Sequence, residues 1–362
     1  MIEDTSMRKR DHLKICVERE VEFEGKTTWL EHVELIHRAL PELSLDKIST
    51  EAEFLGRIFE APFIIESMTG GAHEAARING NLAEAAERLR IPMGIGSQRA
   101  GLADESLRYT YRIARERGPH VFLMANLSGV QLVEEGVKAA EKAVEMIEAD
   151  ALIVHLNALQ ELIQPEGHRS FEGVLKAIEG TVERLDVPVI VKEIGYGISK
   201  EVAKELERVG VKAIDVAGAG GTNWIKIEMT RAMEIDKEKA ELARTFMNWG
   251  IPTAASIIEV SSTVSIEVIA SGGIRSGLDA AKALSIGADM VGFALPLLKP
   301  AMKSPEEVEK VLRRYLKELK AAMLITGCRK IDELKKSQHV ILGPLLEWVR
   351  QRAGEATAGI SR

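Results

Sequence analysis

The chain has 362 residues and a formal net charge of −7, with 46% hydrophobic, 28% charged and only 4% aromatic residues. That balance fits a soluble globular protein with an aliphatic core, and the acidic excess argues against a nucleic-acid partner, which would call for clustered Lys and Arg. No run approaches the ~18 apolar residues of a membrane-spanning helix, the N-terminus MIEDTSMRKRDHLK lacks the apolar stretch of a signal peptide, and Cys16 and Cys328 form no CxxC or zinc spacing, so a cytoplasmic location with no membrane partner is expected.

Residues 1–61 are charged and show no regular alternation. They are expected to form an arm, with a short helix and a hairpin, that caps one end of the main fold. From Pro62 a rhythm begins, in which short apolar runs alternate with longer amphipathic stretches. The runs are 62–71, 92–97, 121–128, 151–157, 188–194, 213–221, 267–274 and 289–295. Near-continuous apolar runs of this length read as strands buried on both faces, the signature of a parallel sheet. Between them, residues 81–89, 136–147, 171–185, 199–210 and 277–288 space their apolar residues three and four apart, as helices do. About eight strand–helix units result, the number that closes an α/β (β/α)8 TIM barrel of roughly 250 residues. Residues 223–249 interrupt the rhythm as an insertion after the sixth strand. The barrel with its C-terminal helices is expected to span 62–350, and 351–362 to be a disordered tail.

In such barrels the chemistry sits at the C-terminal ends of the strands. Here the runs end in Ser67-Met68-Thr69-Gly70-Gly71, Gly96-Ser97-Gln98-Arg99, Asn126-Leu127-Ser128, and His155-Leu156-Asn157 followed by Gln160-Glu161. The later ones end in Lys192-Glu193, Gly218 to Asn223, and Ser271-Gly272-Gly273-Ile274-Arg275. Singly, each has a bland explanation. Gly-Gly after a strand is usually a turn, His155 fits a satisfied core histidine, and Lys192 fits a buried charge paired with Glu193 or another carboxylate. Polar ends on nearly every unit point instead to a polar pocket.

The segment SGGIRSGLDAAKAL (271–284) follows a strand and opens a helix. Its glycines let backbone N–H groups approach a phosphate, and the helix N-terminus adds positive potential. With Ala294-Leu295 at the next strand end, it forms the phosphate site expected after the last two barrel strands. Lys192 beside an isoalloxazine would stabilise the anionic reduced ring, and Thr69, Ser97 and Asn126 would bond its remaining edge. No GxGxxG fingerprint and no Walker A loop occur, so FMN, with one phosphate, is preferred over NAD or ATP.

From Arg8 to about Trp348, the elements RKxDH (Arg8–His12), MTGG, GSQR, HLNxxQE (His155–Glu161), QPEG (Gln164–Gly167), VKE, GxGGTNW and SGGIRSGLDAAKAL occur in one order. In this the chain resembles the type 2, FMN-dependent isopentenyl-diphosphate delta-isomerases. The resemblance implies FMN contacts from Ser67, Met68, Thr69, Gly70, Ser97, Asn126, Lys192, Thr222, Gly272, Gly273, Ile274, Arg275, Ala294 and Leu295. It implies diphosphate contacts from Arg8, Lys9, Ser97, Gln98, Arg99, His155 and Asn157. Gln160 would face the substrate and, with Lys192, serve catalysis, while Glu161 would hold Mg2+. It also implies NADPH as reductant, a homo-oligomer (tetramer or octamer), and a role in isoprenoid biosynthesis. His168 and Ser170 depart from the acidic residues expected after QPEG.

The implied reaction moves an unactivated double bond between isopentenyl and dimethylallyl diphosphate. Since none of these side chains is an obvious acid for carbon, reduced FMN is expected to serve as acid and base. Two rivals remain at this point. An FMN-dependent 2-hydroxy-acid oxidase or dehydrogenase would need a base, usually histidine, before the SGGIR loop, and no histidine lies between residues 169 and 338. A non-enzymatic binder of a phosphorylated ligand would share the phosphate loop alone.

Overall fold

A computed structural model describes residues 2–353. Eight short parallel strands close into a barrel in chain order: Phe63–Ile65, Met93–Gly94, Leu123–Ser128, Ala151–His155, Val189–Lys192, Ala213–Asp215, Glu267–Ala270 and Met290–Phe293. Closure joins the last strand to the first, with Val291, Gly292 and Phe293 paired to Phe63, Ile64 and Ile65. Each apolar run contains one of these strands, so the alternation in the sequence reads correctly. Helix boundaries read less well. The first barrel helix, His73–Leu89, begins before Asn81, because Ala75 and Ile78 continue its buried stripe beneath intervening polar residues.

Side-chain parity divides each strand between two cores. Outward residues such as Phe63, Ile65, Leu152, Val154, Val189, Val191, Val268 and Val291 pack under the helices. Inward residues such as Ile64, Met124, Ile153, Ile190, Ala213, Ile269 and Met290 fill the barrel. Two residues further along seven of the eight strands, the inward position turns polar or small: Glu66, Asn126, His155, Lys192, Asp215, Ser271 and Gly292. The barrel is therefore greasy in its middle and polar at its C-terminal rim. Because both faces are apolar over most of each strand, this period of two is masked in the raw sequence.

The first sixty residues serve both ends of the barrel, not one. A 17-residue helix, Ile2–Glu18, lies over the C-terminal rim against the helices Arg99–Ala103, Trp224–Ile235 and Leu295–Ala301. The hairpin Ala52–Phe54/Arg57–Phe59 closes the opposite mouth, where Phe54 and Phe59 meet Phe122 edge-on and join the inner core. Between them, Val33–Leu35 pairs antiparallel with His339–Ile341, tying the arm to the C-terminal segment. The interruption after the sixth strand is a helical pair, Trp224–Ile235 and Lys237–Phe246. At the C-terminus, Pro305–Thr326 packs against the first and seventh barrel helices. A final helix, Gly343–Ala353, makes residues 351–353 helical where a disordered tail was expected; the rest of that tail lies outside the described residues. Among the described residues no helix is long and apolar enough to cross a membrane.

Candidate functional site

Strand register assembles the rim. Ser128 lies opposite His155, His155 opposite Lys192, and Lys192 opposite Asp215, so four consecutive strands present one polar row. That row borders a cavity roofed by the N-terminal helix. Arg8, Lys9, Ser67, Met68, Thr69, Ser97, Arg99, Asn126, His155, Asn157, Gln160, Glu161, Lys192, Thr222, Gly272, Gly273, Arg275, Ala294 and Leu295 all line it. Three residues singled out in the sequence do not. Gly70 backs onto the Tyr111 ring, which a Cβ would strike. Ile274 is buried in the outer core. Gln98 is fully buried, donating to the Ala143 carbonyl at 2.8 Å and accepting from the Asn126 backbone N–H at 3.0 Å. Its amide is spent on holding the third strand in place.

One pole of the cavity is cationic. Arg8 reaches Glu166 at 3.7 Å and Arg99 reaches Glu134 at 3.9 Å, both long pairs. Lys9 reaches only the Ser97 carbonyl, at 3.5 Å, among the described residues. Burial, with Arg8 and Arg99 nearby, pulls its ammonium down to about 7. Three cations short of carboxylates form a donor set suited to a polyanion. Beside them, Asn126 donates to Ser67 Oγ at 3.0 Å, and its carbonyl lies 2.8 Å from His155 Nδ1. Those contacts place the His155 proton on Nδ1. Burial, then Lys9, holds the ring down at about 4, so it is neutral at neutral pH.

A second group surrounds Glu161. Its carboxylate accepts from Asn157 at 3.0 Å, from the His168 backbone N–H at 2.9 Å and from His168 Nδ1 at 3.0 Å, while His168 Nε2 contacts Glu134 at 2.8 Å. The histidine that departs from the family pattern therefore grips the expected metal ligand. Gly167 lets this loop fold back, since a Cβ there would strike the Glu161 backbone. Despite burial, the His168 and Asn157 bonds keep the Glu161 carboxyl below its usual range. Three of roughly four lone-pair sites are in use, which leaves room for one bond to a cation. Among the described residues no cluster of three or more His, Cys, Asp or Glu forms a metal cage, so most of any Mg2+ shell would come from phosphate and water.

Gln160 is fixed at both ends of its amide, accepting from Asn157 at 3.2 Å and donating to the buried Glu228 at 2.9 Å. Glu228 also meets His12 at 2.8 Å and Arg231 at 2.8 Å. Burial opposes its ionisation, yet His12, Arg231 and Gln160 hold its carboxyl down at about 2. Arg231 continues to Glu166 at 2.9 Å, so the QPEG element docks both the arm and the inserted helix. The Gln164 amide nitrogen is buried without a partner among the described residues, and Gln164 lines the cavity, as befits a site that receives a polar ligand.

Lys192 is buried and is not paired with Glu193. Its ammonium lies 2.7 Å from Asp215 and 3.3 Å from Glu66, and donates to Ser271 at 3.3 Å. Glu193 instead accepts three backbone N–H bonds from 194–196 at 2.6 to 2.7 Å. The glycine loops 218–222 and 271–275 pack backbone to backbone. A Cβ on Gly221 would strike Gly273, and Gly272 and Gly273 have φ of 94° and 76°, values that favour glycine. The following helix does not offer a free N-terminus, because Gly277 donates to Glu318 and Asp279 to Ser276. A phosphate at this end of the cavity would have the loop glycines and Ala294-Leu295 to meet it. Glu66, Asp215, Glu228 and Gln164 escaped the reading of strand ends. Counting two residues on from Ile64 and Ala213 would have found the first two, whereas Glu228 lies on an inserted helix without a comparable signal, and Gln164 opens the QPEG element, to which the sequence reading assigns no site role.

The sequence model of the FMN-dependent dehydrogenase family matches residues 3–160 and 160–341. An isopentenyl-diphosphate delta-isomerase of Methanothermobacter thermautotrophicus is 49% identical over 350 residues, covering 97% of each chain. Another, from Archaeoglobus fulgidus, is 47% identical over 95% of this chain and 98% of its own. Among solved structures, a Pediococcus acidilactici lactate oxidase superposes with a TM-score of 0.66 at 16% identity over 94% of both chains. A mandelate oxidase bound to (S)-2-phenylpropionate gives 0.63 at 19% identity over 94% of this chain and 98% of its own. These two likenesses concern the barrel alone, whereas the near-half identity spans 97% and 95% of this chain. The chain belongs to the FMN-dependent, type 2 isopentenyl-diphosphate delta-isomerase family.

Proposed function

We infer that this protein interconverts isopentenyl diphosphate and dimethylallyl diphosphate with bound FMN. The observation that carries the inference is the pairing, in one cavity, of a carboxylate-poor cationic pole with a flavin-type rim built around Lys192. Reduced FMN supplies the acid–base and charge-stabilising chemistry for moving the double bond. The chain's own residues do the rest. Lys9, Arg8 and Arg99 hold the diphosphate, with His155 and Asn157 at its flank and Glu161 sharing Mg2+ with it. Glu228 orients Gln160 toward the hydrocarbon part of the substrate. Lys192 would hold the flavin ring, with Ser67, Thr69, Ser97, Asn126 and Thr222 to bond its polar groups, and the 272–275 loop with Ala294 and Leu295 would hold its phosphate. The N-terminal helix excludes water above the reacting carbons. NADPH is the proposed reductant.

The decisive experiment uses FMN-reconstituted protein reduced with NADPH and incubated anaerobically with isopentenyl diphosphate and Mg2+. Dimethylallyl diphosphate should form without net consumption of NADPH beyond the first reduction. Hydrogen peroxide released from lactate or mandelate in air, with no isomerisation, would establish the oxidase chemistry of the structural neighbours instead.

A further inference from the structure

Two carboxylates share the Lys192 ammonium, and they are not equally served. Asp215 accepts from Lys192 at 2.7 Å, from Ser271 at 2.6 Å and from the Ala217 backbone N–H at 3.1 Å. Glu66 has Lys192 at 3.3 Å and stands on the cavity wall beside it. Gly292, on the neighbouring strand, leaves room for that carboxyl, since a Cβ there would strike it. Lys192 and Asp215 are the charged groups that face Glu66, and His155, next in the row, is neutral at neutral pH. One ammonium cannot compensate two buried carboxylates, so the less well served one is the seat of a mobile proton. Burial, then Asp215, pushes the Glu66 carboxyl up to about 7 against the pull of Lys192.

A unit negative charge about 6 Å from a carboxyl in such a site strengthens its hold on a proton roughly 100-fold. We propose that Glu66 is the redox-linked proton acceptor of this site: when FMN bound beside Lys192 is reduced to its anionic form, the Glu66 carboxylate takes up one proton from solvent. The proposal rests on the reading that FMN occupies this cavity. A hydride donor of the nicotinamide class delivers two electrons and one proton to the ring. The second proton forms an O–H bond on Glu66, and no protein bond breaks. Before reduction the ring is neutral and the Lys192–Asp215–Glu66 cluster carries −1. Afterwards the ring carries −1 and the cluster is neutral. The buried unit thus keeps its charge, and reduction does not accumulate a second uncompensated anion.

The test is the pH dependence of the midpoint potential of FMN bound to the full chain, titrated with dithionite and mediators between about pH 7.5 and 9. FMN affinity is measured first, by fluorescence quenching on the same preparations. The wild type is expected to take up two protons per two electrons, and Glu66→Gln one. Asp215→Asn removes the competing charge and should move the two-proton region to lower pH. A one-proton slope in the wild type, or a two-proton slope that survives Glu66→Gln, overturns the proposal while leaving the FMN site intact. If Glu66→Gln does not retain FMN, an unmoved Asp215→Asn profile overturns it. A wild-type chain that does not bind FMN overturns the site reading and the proposal together.

Discussion

Lys192 shows what a buried charge demands of its surroundings. Removing it leaves Asp215 and Glu66 facing each other without a cation, and breaking such a buried pair costs about 3–5 kcal/mol. Lys192→Ala should therefore unfold at clearly lower urea concentration even without flavin, and should bind FMN about 10–100-fold more weakly. An unchanged urea midpoint would refute the shared-ammonium account. Lys9 is the complementary case, a cation short of a carboxylate. Burial, then Arg8 and Arg99, lowers its ammonium to about 7 in the free chain, whereas a bound diphosphate favours the charged form. Above that pH, binding must draw in a proton. Affinity for a diphosphate ester should fall as pH rises beyond about 7, by up to about tenfold per unit, and Lys9→Met should flatten the profile. Calorimetric titration across pH reads this directly.

At the scale of elements, the arm separates two duties. Its hairpin plugs the N-terminal mouth, and Phe54→Ala should cost about 3–5 kcal/mol while leaving FMN affinity unchanged, because Phe54 packs in the inner core against Phe122, at the mouth opposite the cavity. Its leading helix roofs the other mouth. Arg8→Ala should raise the KM for isopentenyl diphosphate about tenfold or more with FMN content unaltered. Steady-state kinetics beside an absorbance measurement of bound flavin distinguishes the two, and an unchanged KM removes Arg8 from the substrate pole. The helical pair inserted after the sixth strand belongs to the same roof, since Glu228 on its first helix meets His12 from the arm and Gln160 from the rim.

For the whole molecule, stability follows from the buried acids and bases together. Burial raises Glu66 and Glu193 to about 7 from an ordinary 4.5. Their contribution is therefore fully present below about 4.5 and is lost as pH rises through about 7. His155 is lowered from 6.5 to about 4, so its contribution runs the other way, present above about 6.5 and lost as pH falls through about 4. Burial also raises Glu267 and lowers His339, so three raised acids stand against two lowered bases, and the flavin-free chain should lose stability between about pH 4.5 and 7. Denaturation midpoints that rise over that interval would contradict the assignment of these buried protons.

The sequence by itself determined the barrel, because eight apolar runs separated by amphipathic helices have one economical closure, and it determined the motif order that names the family. It located most of the cavity wall as well, since polar residues at buried strand ends have few other uses. The interior of the site depended on tertiary structure. Which inward residue becomes polar is a matter of strand parity, hidden when both faces are apolar, and Glu66 and Asp215 come together with Lys192 only once the first, fifth and sixth strands share one rim. Gln98 is the converse case, a polar residue in a motif whose rotamer is taken by the Ala143 carbonyl and the Asn126 N–H. Pairings such as Glu228 with Gln160, or His168 with Glu161, are set by how an inserted helix and a returning loop fold over the rim. Local sequence fixes periodicity and backbone preference, but distance between groups far apart in the chain is fixed only when the barrel closes.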